Sequence, residues 1–297
     1  MTDLLLSSKF IVAGLFVLLW VAETIFPYAQ GRAHRLRHAA RNLTLTAVNA
    51  LVTGLLAAFL LFNVANWSEA SNFGLLRLVS LPPPVATVAA IVLLDAWMYW
   101  WHRANHELPF LWCFHRVHHS DTEMDVTSAM RFHTGEILLS GLLRAAIIPL
   151  LGVSLPQVLL YDALMLPVIL LHHSNVNIPE YVDRIMRLVV TTPAIHRVHH
   201  SRLMFEANSN YGTIFSWWDR LARTFRLRRD GTRVELGVQG FEGEEWQSLR
   251  GLSLTPFSVD EYFTPAYQKT GPGSASVPLA EAYTTNSLKV KITHPRA

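Results

Sequence analysis

Apolar residues run in long blocks through the first half of this 297-residue chain and stop after Ser174. Residues 8–26 form a first block, broken only by Lys9 and Glu23, with residues 43–65 a second and 85–101 a third. Each is close to the ~17–25 residues that cross a bilayer as a helix. Residues 136–171 are longer and are interrupted by Gly152-Val153-Ser154-Leu155-Pro156. That interruption predicts a tight helical hairpin, down and back. Nothing later approaches a spanning length. The pattern predicts an all-α fold, a multi-pass membrane helical bundle with a cytoplasmic histidine-rich cap. It divides the chain into N-terminal membrane helices with a basic loop (1–84), a histidine-bearing region (85–228) and a polar tail (229–297). The start lacks a basic n-region and a small-x-small cleavage site, so the first helix is expected to be retained.

Composition agrees. The chain is 51% hydrophobic and 16% charged, with mean hydropathy +0.25, whereas soluble domains carry roughly 25% charged residues. Its net charge of +3 comes without a Lys/Arg-rich run of the nucleic-acid-binding kind, and the surplus reads as a basic face near anionic lipid. Segment 31–41 holds Arg32, Arg35, Arg37 and Arg41 with no acid, while 66–84 holds only Glu69 and Arg77. The positive-inside rule then puts the first loop in the cytoplasm and the second outside. On that topology span three, the hairpin's two ends and the C-terminal part deliver every histidine cluster to one face. The compact length points to a bacterial inner membrane. Cys113, the single cysteine, excludes an internal disulfide and any multi-cysteine metal site.

The chemistry sits in the histidines. His115-Arg116-Val117-His118-His119-Ser120 recurs as His196-Arg197-Val198-His199-His200-Ser201, and His102 and His106 form a third box upstream. Spacings of three and four place two rings on one helical face, and neutral imidazole is the commonest protein ligand for transition metals. The adjacent histidine of each H-x2-H-H box points about 100° round the helix, so a box can reach toward two metals. Eight imidazoles exceed one four-coordinate zinc and suit two ions side by side. Nitrogen donors argue against magnesium and calcium and leave iron, zinc, copper and nickel open. H-E-x-x-H is absent, and axial haem histidines would sit within spans rather than at their ends. His34, His38 and His294 read as solvated or hydrogen-bonded side chains.

These boxes, together with Arg131-Phe132-His133 and Glu136, the stretch Leu171-His172-His173-Ser174-Asn175-Val176, Asn210-Tyr211-Gly212 and Trp218-Asp219, resemble the fatty acid hydroxylase and sterol desaturase superfamily over residues 85–225. The resemblance implies an integral-membrane oxygenase that holds two iron ions, activates O2 and oxidises a C–H bond of a lipid. The implied metal set is His102, His106, His115, His118, His119, His133, His172, His173, His196, His199 and His200. Of these, His133 could serve as ligand or as outer hydrogen-bond partner. The superfamily's intermediate box is often H-x3-H; here its first position is Val168, a departure from the pattern.

Asp95 and Asp162 are the candidate catalytic carboxylates, since an acid within a span is a functional-site hypothesis. Asp95 precedes His102 and His106 by 7 and 11 residues, and Asp162 precedes His173 by 11, close to whole helical turns. They are expected to bind ligand histidines from a neighbouring helix or to line the substrate cavity; pairing of Asp162 with Arg144 is the alternative. Trp97, Tyr99, Trp100, Trp101 and Trp112 read as an interfacial aromatic belt. With no dinucleotide fingerprint and no haem-attachment motif, reducing equivalents are expected from a separate redox protein or a reduced small molecule such as a pterin. Sterol, fatty acyl, ether-lipid and carotenoid substrates all fit. A histidine-box desaturase, a zinc-dependent membrane hydrolase and a metal transporter or sensor are the rival readings.

Overall fold

The computed structural model describes residues 2–30, 32, 34–228 and 233–258. Helix α1 (Thr2–Ile25) is followed by α2 (Arg35–Ala70), α3 (Pro83–Glu107), α4 (Pro109–His119), α5 (Thr134–Leu151), α6 (Leu155–His173), α7 (Glu180–Met186) and α8 (Pro193–His199), with short turns beyond. Among the described residues β-pairing is confined to three isolated bridges. Helices α2, α3, α5 and α6 are long and apolar enough to cross a membrane, whereas α1 contributes a shorter apolar stretch, Phe10–Ile25. The multi-pass helical bundle is therefore as expected. The hairpin break is also as expected. Segment 31–41 differs from the expected loop, because from Arg35 onward it is the first turns of α2.

Local chemistry explains the boundaries. Pro82-Pro83-Pro84 opens α3, where prolines lack only donors that a first turn leaves free anyway. Gly152 ends α5 at φ 72°, its N–H donating to Ile148 O, and Ser154 with Gln157 opens α6 as a capping box. The turn after α2 docks onto this hairpin at Gly74, φ 116°, where a Cβ would lie 2.3 Å from Gly152 N. Only glycine permits that approach.

The spans pack through Ala65, Ala90, Leu94, Ile148, Val158 and Tyr161, all at most 1% exposed, while Leu51 and Leu55 of α2 are 83% and 87% exposed. That is an inside-out helix bundle with a lipid-facing surface. Between such helices the apolar transfer term is small, and close packing over small residues such as Ala65 and Ala90 supplies the stabilisation. Beyond the spans, Trp112 of α4 packs with Met204, Ala207, Val238, Phe241 and Trp246, and Leu252 packs on Val117 of α4 and Leu45 of α2. Residues 233–258 thus lie over the helix that carries the first H-x2-H-H box. His294 and the segment 270–276 lie outside the described residues.

Candidate metal centre

Two groups of imidazoles, all buried but the part-buried His102, form where α3, α4, α6 and α8 end together. His102, His106, His115, His119 and His199 make one, and His118, His173, His196 and His200 the other; within each, the candidate ligand atoms lie within 4.8 Å of one another. Nine of the eleven expected histidines are thereby brought together. The repeated hexamer divides in the same way in both copies. Its i, i+4 pair goes to one group and its i+3 histidine to the other. The copies are exchanged: α4 sends His115 and His119 to the first group and His118 to the second, while α8 sends His196 and His200 to the second and His199 to the first. The 100° step between adjacent rings produces this split.

The tautomers reveal what the groups require. His102 Nδ1 donates to Tyr211 O at 2.9 Å and His199 Nδ1 to Ser209 O at 2.6 Å. Each neutral ring then carries its lone pair on Nε2, and those two nitrogens face each other at 3.0 Å. His173 Nδ1 likewise donates to Ile169 O, and its Nε2 lies 3.1 Å from His118 Nε2 and 3.0 Å from His196 Nε2. Converging lone pairs repel unless a cation lies among them. Two nitrogens ligating one ion at ~2.0–2.1 Å at right angles stand about 3 Å apart, so the spacing fits a shared metal. His106 Nε2, His115 Nε2 and His119 Nε2 are buried without a hydrogen-bond partner, as metal-directed nitrogens are. Protonation does not relieve the crowding. Burial, followed by neighbouring imidazoles, holds His118, His119, His196 and His200 well below the usual histidine value, and burial pushes His199 down to about 3. The donor set fits two transition-metal ions.

The outer contacts include residues without an assigned role in the sequence. Glu136 Oε1 accepts from His115 Nδ1 at 2.7 Å with both side chains buried, and Asn208 Oδ1 lies 3.3 Å from His106 Nδ1. Asp219 Oδ1 and Oδ2 accept from Tyr211 N and Gly212 N, which fixes the carbonyl that orients His102.

Four expectations require correction. Asp95 contacts no histidine. Its carboxylate, fully buried, accepts from Tyr161 Oη, Ile214 N, Phe215 N and Trp218 Nε1 at 2.9–3.1 Å. Seven residues of helix separate it from His102, and loop 211–219 fills the space. Asp162 takes the alternative stated for it, a pairing with Arg144 at 2.5 Å with both about a quarter exposed, and binds no ligand histidine. His133 belongs to neither group: it is the N-cap of α5, its Nδ1 accepting from Gly135 N at 2.9 Å. His172 stacks on His196 with ring centroids 3.9 Å apart but lies outside the second group. His38 takes the hydrogen-bonded of its two expected states and is buried, its ring nitrogens 2.8 Å from Asp121 Oδ1 and 3.2 Å from Asp125 Oδ2. Helical continuation of α2 through the basic segment presses it onto the loop after box two. His34 is exposed, as expected.

Comparison with known proteins is consistent with this geometry. Residues 87–224, which include all nine clustered histidines, match the family described as Fatty acid hydroxylase. Ornithine lipid hydroxylase OlsE of Rhizobium tropici is 33% identical over 159 residues, 54% of this chain and 47% of that protein. Human alkylglycerol monooxygenase is 29% identical over 158 residues, 52% of this chain and 34% of that protein. Human cholesterol 25-hydroxylase is 25% identical over 138 residues, 46% and 49% respectively. The matched stretch spans half or less of the length of these relatives. No solved structure matches the chain.

Proposed function

This chain belongs to the fatty acid hydroxylase family through residues 87–224, and from that premise we propose that it is a membrane-bound di-iron monooxygenase that hydroxylates a C–H bond of a lipid. The observation that carries this reading is the convergence of Nε2 nitrogens, His102 facing His199 with both lone pairs inward and His173 facing His118 and His196, in two adjoining all-imidazole groups. His102, His106, His115, His119 and His199 would hold one iron, and His118, His173, His196 and His200 the other. Bound there, the irons supply the capacity to activate O2 and oxidise an unactivated C–H bond.

The remaining work falls to the chain. Glu136 fixes the ring and tautomer of His115 by accepting from Nδ1. The carbonyls of Tyr211, Ser209 and Ile169 keep Nδ1 protonated on His102, His199 and His173, so their Nε2 lone pairs point inward. The exposed apolar faces of α2, α3, α5 and α6 admit an alkyl tail from the bilayer. Residues 233–258 cover α4 on the opposite side and exclude water from the oxidising site. Electrons come from a separate redox protein or a reduced small molecule. The basic residues before and at the start of α2 support a cytoplasmic site, because Arg32 and His38 bind the loop directly after box two and so share its face.

The named relatives are hydroxylases and monooxygenases, which favours an alcohol product over an alkene. The test is expression with 18O2 and lipid mass spectrometry. One 18O atom in a hydroxylated lipid is expected. A loss of two hydrogens without oxygen would make it a desaturase, and a product whose new oxygen is unlabelled, drawn from water, would make it a hydrolase.

A further inference from the structure

A polar cleft of about 280 Å³ opens where α1 leaves the apolar zone, walled by residues that follow two of the histidine-bearing segments and by Arg197 from within a third. Tyr28, Arg32, Glu123, Asn175, Arg197 and Arg233 are among its lining. Arg197 is 6% exposed, yet among the described residues it has no carboxylate partner: its Nη2 donates to Ser174 O and Val176 O, and its guanidinium stacks 4.0 Å over the Tyr28 ring. Arginine stays charged in proteins, and the carboxylates that act on it electrostatically, Asp183 and Glu23, are each already paired with another arginine, Arg187 and Arg35. Arg233 also forms no ion pair among the described residues, whereas Arg32 is already held by Asp125. Glu123 presents the complementary feature. Its Oε2 is buried without a hydrogen-bond partner and forms no ion pair with the arginines. The cleft therefore offers two arginines with no ion pair of their own among the described residues, Arg233 of them exposed, and one carboxylate oxygen without a partner. Ile25 and Phe26, 61% and 63% exposed, lead apolar surface up to its edge.

We propose that this cleft binds the zwitterionic headgroup of a lipid, with Arg197 and Arg233 holding its phosphate or carboxylate and Glu123 holding its ammonium. That this lipid is also the one oxidised rests on the function proposed above; the binding itself does not. A free zwitterion of the same chemistry would use the same contacts.

The test is calorimetric titration of the full-length protein in detergent with glycerophosphoethanolamine, a soluble headgroup, beside inorganic phosphate and glycerol. Saturable binding of the first is expected. Arg233→Ala should weaken both it and phosphate about tenfold, the size of one charge-assisted hydrogen bond. Glu123→Gln should weaken glycerophosphoethanolamine by a similar factor and leave phosphate unchanged. Both side chains lie away from the packed helices, so the test does not depend on Arg197, which braces Ser174 and Val176. No saturable binding, or binding indifferent to both substitutions, overturns the proposal. Repeating the titration in phosphatidylethanolamine and phosphatidylglycerol nanodiscs assigns the source. Competition confined to the former identifies the bilayer lipid, and equal affinity in both identifies a free ligand; either supports the site. Headgroup binding without lipid oxidation would overturn the proposed function and leave the cleft standing, and oxidation without binding would do the reverse.

Discussion

Replacing Asp95 with Asn should damage one metal group selectively, from a residue that touches no ligand. Asp95 Oδ1 accepts from Tyr161 Oη and Ile214 N, and Oδ2 from Phe215 N and Trp218 Nε1. An asparagine keeps one oxygen and turns the other into an NH2; placed at the Oδ1 position it can donate to Tyr161 Oη, but it leaves Ile214 N without an acceptor. Leaving that buried donor unsatisfied costs about 1–3 kcal/mol. The strain falls on loop 211–219, whose Tyr211 carbonyl fixes the tautomer of His102. Thermal melting in detergent should therefore drop clearly. Metal analysis should show loss from the group containing His102 before the group containing His118. Asp162→Asn is the control for place: it pairs with Arg144 within the spans and touches no residue of loop 211–219, so any loss of stability should come without selective loss from the group containing His102. The same selective metal loss in both variants, or a wild-type melt for Asp95→Asn, would refute the reasoning.

Further outcomes follow from other contacts. Glu136→Gln removes the carboxylate from His115 and should lower metal affinity about 10–100-fold, read by competition with a chelator. His133→Ala should keep full metal content and lose about 1 kcal/mol of stability as a missing N-cap, separating it from His118→Ala by metal analysis. Gly74→Ala places a Cβ 2.3 Å from Gly152 N and Pro149 O and should destabilise the protein by more than about 3 kcal/mol, seen as a lower melting temperature. Metal-free protein should be acid-labile. His199 has its folded value depressed to about 3 from 6.5 by burial, so its contribution is complete above pH 6.5 and is lost as pH falls from there toward 3. Melting of the metal-free form between pH 7.5 and 5 should show that decline, and metal should flatten it.

The spans and boxes were legible because both are written in short-range spacing. A run of about twenty apolar residues and an i, i+3, i+4 repeat need no knowledge of the partner helix. The hairpin at Gly152 was legible for the same reason, since Gly and Pro terminate helices locally. What could not be read were pairings between distant stretches. Asp95 meets residues about 120 positions away, and His38 meets Asp121 across 83. Helical phase placed Asp95 on the face of His102, correctly for a straight helix, but phase does not say which loop occupies the gap. His133 illustrates a competing use of histidine: at the first turn of a membrane helix, its ring nitrogen satisfies a free backbone N–H. Glu136 carried a local signal, an acid one turn into α5 within a conspicuous motif, yet its partner lies 21 residues back across a helix–helix contact.

Metal stoichiometry in group-specific variants tests the central claim most directly. Purified wild-type protein should hold two ions per chain. Replacing His106 and His119 should leave one, replacing His173 and His196 should leave one, and the combined variant should hold none. A single ion lost in full by either pair of substitutions, or two ions retained in the combined variant, would contradict the account.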